Sequence, residues 1–354
     1  MSKKAPQNQP DVHAEGVVVY KACGKVSDEQ VHGEILEGGN RLLIERLAID
    51  RAISKGYSIS DAVKFYGSKN LNKNNYRERL LEHLCLYKKH ILQINEKGKF
   101  QHKGRELFFD HILPKENDGK WRGGEWSNII EPYRDKIRLY MMRNGIKTHR
   151  YFHHLNSSQA FAFNLFFPYF SEPANSKILL RALGQEESVL ADSWGFEMVP
   201  VPEENTNVDV HWRSQSGIVT FCEVKLTEAE FGKAKNDERH KLKLKNIYRP
   251  VLLGKVDEKL LNEEDFFSYY QILRNVWHLA KVENSRLIFL LPRDNKKLWQ
   301  TIEEVMPKIE NCLSSRISIC SVEDVINNIL RDSNCPAELH SHAGKLREKY
   351  LLAD

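Results

Sequence analysis

The chain has 354 residues, 41% hydrophobic and 29% charged, with 53 Lys and Arg against 48 Asp and Glu for a net charge of +5. That balance describes a globular protein long enough for one large domain or two ordinary ones, and it excludes a histone-like polycation. No apolar run approaches the roughly 20 residues that a membrane helix needs, which excludes a helical membrane protein.

In chain order, residues 1–16, "MSKKAPQNQPDVHAEG", lack the apolar core of a signal peptide and read as a disordered lead-in, pointing to the cytoplasm. From about residue 30 to 95 the pattern is helical. "GNRLLIERLAIDRAISKG" stops at Gly56, "SISDAVKFYG" opens on a Ser or Asp cap, and "NNYRERLLEHLCLYKKHILQI" follows. Residues 97–128, rich in Gly, Lys and Asp, suit a connector or a β-turn insertion. The expected organisation is therefore a tail (1–16), a mainly helical N-terminal domain with connector (17–128), and a second domain (129–354). The six cysteines show no CxxC spacing and read as reduced structural thiols.

The second domain opens with helices "IIEPYRDKIRLYMMRNG", "SSQAFAFNLFFPYF" and "SKILLRALG". Three strand candidates follow, "GFEMVPV", "NVDVHW" and "GIVTFCEVKL". Then come a long helix "EEDFFSYYQILRNVWHLAKVE", the apolar strand "SRLIFLLP", the helix "NKKLWQTIEEVMPKIENCL", a strand "RISIC" and terminal helices. This order predicts an α/β fold: a meander of three strands, joined in parallel by a fourth after a helical crossover, with helices on both faces of the sheet.

Side chains alternate along a strand, so Asn207, Asp209 and His211 share one face, as do Phe221, Glu223 and Lys225. Pairing Trp212 with Ile218 across "RSQSG" sets Asp209 opposite Phe221 and diagonal to Glu223, at about 7 to 8 Å between backbones. Two carboxylates beside a lysine make a poor core and a good cation site. Asp209, Glu223 and the Val224 carbonyl are the candidate ligands for Mg²⁺, with Mn²⁺ as a substitute. Lys225 is then placed to orient or deprotonate water and to offset charge on a phosphoryl group. The competing account is an ordinary ion-pair cluster on a half-exposed sheet.

The acid in "VDV" at Asp209, thirteen intervening residues, and "EVK" from Glu223 to Lys225 resemble the catalytic core of the PD-(D/E)XK, or restriction-endonuclease-like, nuclease superfamily over roughly residues 150 to 325. Val208 stands where the family's name implies proline. The resemblance implies a restriction-endonuclease-like core of α-β-β-β-α-β order preceded by an α-helical domain. It also implies metal-dependent hydrolysis of DNA and, in the bacterial restriction-type branch that the chain is most similar to, a setting in restriction or anti-phage defence. By the same resemblance Glu197 in "GFEMVP" supports the metal site and Gln271 in "YYQILRN" contacts substrate or orders the site. Glu197 can equally be a charge that protects an edge strand, and Gln271 a solvated neighbour of an apolar stripe.

Lys233, Lys235, Arg239, Lys241, Lys243, Lys245 and Arg249 follow the catalytic strand and are candidates to track a phosphate backbone, or else a solvated helix face. His149, His153 and His154 lack zinc spacing and read as local packing, Gln159 and Asn164 as structural, and Trp121 and Trp126 as stacking or anchoring aromatics. No Walker A or GxGxxG motif follows a strand, which argues against a nucleotide-driven motor. The expected partners are DNA, a second copy of the chain, and a defence-system protein, with no membrane. A non-catalytic nucleic-acid-binding module, an assembly subunit, and an RNA, junction or repair nuclease remain alternatives.

Overall fold

The computed structural model describes residues 11–12, 18–19, 48–66, 75–114 and 124–352. They fall into two compact units divided between Lys73 and Asn74. In the first, a helix over 48–54 buries Ala48, Ile49 and Ala52 and ends at Gly56, whose φ of +90° suits glycine. The next helix, Ile59–Tyr66, is capped by Ser58, which accepts the Asp61 N–H at 3.1 Å. Trp121 and the apolar residues Leu42, Leu43 and Leu47 lie outside the described residues.

The second unit begins well before the expected boundary near residue 128. Helix α1 (Tyr76–His90) buries Leu80 and Leu84 in the same core as the sheet, and its His83 Nε2 donates to the Glu348 carbonyl at 2.7 Å. A hairpin follows, β1 (Gly98–His102) and β2 (Arg105–Phe109), turning on Lys103 and Gly104, both at positive φ as a two-residue hairpin turn requires. The connector-like composition thus resolves in part into a hairpin.

Helices α2 (Arg134–Arg143), α3 (Ser158–Phe170) and α4 (Pro173–Ala182) precede a five-stranded sheet. Its strands are β3 (Val189–Met198), β4 (Val208–Ser214), β5 (Val219–Val224), β6 (Ser285–Leu291) and β7 (Ile317–Ser321), in that spatial order. The first three form an antiparallel meander, and β5–β6 and β6–β7 pair in parallel. Between β5 and β6 lie α5 (Glu238–Lys243), α6 (Glu263–Ser268) and α7 (Tyr270–Lys281). The single long helix expected over the last two is interrupted at Tyr269. Helix α8 (Lys296–Val305) links β6 to β7, and α9 (Val322–Arg331) and α10 (Ala337–Tyr350) end the unit.

Strand β6 is apolar and buried from Leu287 to Leu291 because both its faces are covered there. Phe161, Phe166, Val210, Trp212, Cys222 and Ile288 pack on one side with α9 and α10, and Phe221, Phe289, Leu273, Trp277 and Ile302 on the other. Helix α3 runs through Pro168 to Phe170. Proline has no N–H to give the carbonyl four residues back, and His342 Nε2 of α10 donates to that Asn164 carbonyl at 2.8 Å. Asn164 itself takes the Ile130 N–H at 2.8 Å and donates to the Asn128 carbonyl and the Tyr350 hydroxyl, which fits its structural reading.

Candidate active site

Strands β4 and β5 pair Val210 with Cys222 and Trp212 with Thr220, so one further step sets Asp209 level with Glu223. The expected register was two residues out. A slip of two preserves which face each side chain occupies, so the shared face survives while the acids come closer than a diagonal. Between β3 and β4, Phe196 pairs with Val210 and Met198 with Val208, which brings Glu197 level with Asp209. Three acids thus stand in one row across consecutive strands.

Glu223 is buried and well supplied with donors. Its Oε1 accepts Gln271 Nε2 at 2.6 Å and Lys225 Nζ at 2.8 Å, and its Oε2 accepts Asn275 Nδ2 at 2.8 Å with the Arg274 guanidinium 3.6 Å away. Burial raises its pKa, but the charges of Lys225 and Arg274 and the bonds from Lys225 and Asn275 outweigh it and hold Glu223 below the usual carboxylate value. Among the described residues Asp209 accepts a backbone donor alone, the Val224 N–H at 2.8 Å to Oδ2. Burial and the neighbouring Glu223 charge raise its pKa well above the usual value. Burial acts to lower Lys225, but Glu223, Glu228 and Asp209 prevail and its pKa is raised.

Glu197 has φ +53°, which turns it out of the regular strand, and Gln159 and Asn207 donate to its two oxygens at 2.9 and 3.2 Å. Its charge adds a smaller upward push on Asp209. With His211, Lys147 and Trp194 it lines an open recess of about 530 Å³. Gln271 is held at its other end, where its Oε1 accepts the Gly232 N–H at 2.8 Å, so it locks the Glu223 carboxylate to the loop after β5.

Arg274 and Asn275 escaped the sequence reading. The signal was present: they lie three and four positions after Gln271, hence on one helix face, beside an acid that needed partners. A second buried acid, Glu204, was also missed. It accepts from Tyr248, Thr206 and Lys243, with His278 Nε2 3.7 Å away, and no local pattern marks it.

The basic run divides. Lys233 pairs with Glu230, Lys241 with Glu263, and Lys243 with Glu204, while Arg249 donates to the Leu261 carbonyl. Lys235, Arg239 and Lys245 are exposed without an ion-pair partner among the described residues. His149, His153 and His154 stand under the hairpin, where His153 Nε2 donates to the Lys99 carbonyl at 3.2 Å, and Trp126 is buried against Phe152.

The donor set fits a hard cation that retains most of its waters, since Asp209 and Glu223 offer carboxylate oxygens without sulfur or imidazole. Among the described residues no group of three or more His, Cys, Asp or Glu is disposed to hold a metal, so an all-protein cage is not available there. Nor is any described helix long and apolar enough to cross a membrane.

No curated protein and no solved structure is significantly similar to the chain. A family described as restriction endonuclease associating with ARP matches residues 82–351, a span that starts within α1 and takes in the hairpin and the whole sheet, and the chain belongs to that restriction-endonuclease family.

Proposed function

We propose that the chain is a metal-dependent endonuclease that hydrolyses phosphodiester bonds of DNA in restriction or anti-phage defence. The observation that carries the reading is the level pair Asp209 and Glu223 with Lys225 at the end of β5, in a chain of this family. In this reading Asp209, Glu223 and the Val224 carbonyl hold Mg²⁺, or Mn²⁺ in its place. A divalent cation bound there supplies polarisation of a phosphoryl oxygen and an acidified water.

The chain's own residues do the rest. Gln271, Asn275 and Arg274 fix the Glu223 carboxylate so that one orientation is presented to the cation side. The Lys225 ammonium, 2.8 Å from Glu223, is placed to orient the attacking water and to offset negative charge that grows on the phosphate. Gln159 and Asn207 hold Glu197 as the outer, supporting acid. Exposed Lys235, Arg239 and Lys245 offer contacts to the phosphate backbone. Cutting both strands takes two such centres, so the cutting form is a homodimer in this reading.

The test incubates wild type and Asp209→Asn with supercoiled plasmid, linear duplex, single-stranded DNA and RNA, in Mg²⁺, Mn²⁺ or EDTA. Cleavage of DNA that needs metal and disappears in the variant is the expected result. Cleavage that persists in purified Asp209→Asn overturns the assignment, and cleavage of RNA alone moves the substrate class.

A further inference from the structure

The β1–β2 hairpin stands outside the site, and its composition is unusual for a surface ribbon. Every residue of β2 is exposed, including Leu107 and Phe109 at 38% and Phe108 at 55%. Opposed residues share a face, so Phe100, Leu107 and Phe109 turn toward Tyr151 and His154, while Phe108 faces outward beside Lys99. Such an apolar edge invites association unless something covers it.

The charges say what that something is. Asp110 and Glu106 are matched by Lys97 at 3.4 Å and Lys99 at 2.6 Å. Lys103 and Arg105 at the tip have no ion-pair partner among the described residues, and the Arg150 guanidinium lies over the Phe100 ring of the same hairpin. The excess at the exposed end is cationic. A two-stranded ribbon also has the width to enter a major groove of about 12 Å.

The hairpin is fixed rather than loosely tethered. A Cβ at Gly98 would fall 2.4 Å from the Ile112 backbone, so its root is pressed against the body of the unit. Arg150 donates to the Gln101 carbonyl at 2.6 Å. One residue earlier, the His149 N–H donates to Gln159 Oε1 at 2.7 Å, and Gln159 Nε2 holds Glu197. A short chain of hydrogen bonds therefore joins the hairpin to the row of acids.

We propose that this hairpin is a duplex-DNA contact arm, Lys103 and Arg105 meeting phosphate oxygens and Phe108 lying against the groove edge. The proposal rests on the nuclease reading above and adds to it the surface that holds the duplex.

Binding of a labelled duplex by the full chain in EDTA, measured by fluorescence anisotropy across a salt series, tests it. Lys103→Asn, which suits the left-handed backbone there, combined with Arg105→Gln raises Kd on the order of tenfold and lowers the slope of log Kd against log salt by about two. Phe108→Ser weakens binding several-fold and leaves that slope unchanged. Wild-type affinity and slope in both variants overturn the arm. So does a DNA-free dimer, seen by sedimentation, that Phe108→Ser dissociates, because the face would then belong to a second copy. Plasmid cleavage followed in parallel separates the two readings: a wild-type chain that cuts while both variants bind normally loses only the arm, and one that neither binds nor cuts loses both.

Discussion

Asp209 and Glu223 stand level on neighbouring strands, yet four donor side chains surround Glu223 while the Val224 N–H is the donor to Asp209. The two carboxylates therefore differ in how costly their charge is. Burial and the Glu223 charge both oppose ionisation of Asp209.

That asymmetry predicts a variant more stable than wild type. Asp209→Asn removes the repulsion and can still accept the Val224 N–H, so in EDTA near neutral pH its unfolding free energy is expected to rise by on the order of 1 kcal/mol while cleavage is lost. Urea denaturation beside the plasmid assay checks both halves. A fall in stability means that Asp209 is better compensated than its surroundings indicate.

Glu223→Ala is expected to behave in the opposite way. It strands Lys225, Gln271 and Asn275 in a buried place, at about 3–5 kcal/mol. Its loss of cleavage is consequently mixed with loss of fold, whereas Glu223→Gln keeps the shape and isolates the charge. Circular dichroism melts of the two should separate clearly, with Glu223→Ala the lower.

Acid is expected to destabilise the sheet-bearing unit through its buried histidines. Burial pushes His83, His278 and His342 down to about 4, against about 6.5 in an unfolded chain. Between those values the unfolded chain binds more protons, so stability is full above about pH 6.5 and is lost as pH falls toward 4. The loss reaches at most roughly 1.4 kcal/mol per pH unit per histidine. Urea midpoints at about pH 7.5 and pH 5 test this, and His342→Gln, which can still donate to the Asn164 carbonyl, should shrink the difference.

Asn164→Ala leaves the buried Ile130 N–H without its acceptor and takes a donor from Tyr350. A cost of about 2–4 kcal/mol is expected, with cleavage per folded molecule unchanged because Glu223 and its donors lie on the other side of the sheet. Denaturation and specific activity, measured on one preparation, read the two effects separately.

The meander and the parallel partner were legible because alternation in "NVDVHW" and "GIVTFCEVKL" and the apolar run of "SRLIFLLP" carry strand period and burial directly. The register was not, since sliding Trp212 from Ile218 to Thr220 changes no face, and only the turn and the packing choose between them. The break at Tyr269 was hidden inside an unbroken amphipathic pattern. The boundary near 128 followed composition, but composition carries no information on which core α1 joins. Arg274 and Asn275 show the same limit, for a helix face declares what it could hold, and the partner that it meets is set by tertiary packing.

The bond between Asn164 and Tyr350 joins positions 186 residues apart, and that between His83 and Glu348 spans 265. The core around α3 is therefore completed by nearly the last residues that the ribosome adds to this unit. Contacts so distant in sequence close late. A chain cut short before Glu348 and Tyr350 would leave the core around α3 open along α1 and α10, so the sheet that carries the row of acids leans for its packing on a helix distant from it in sequence.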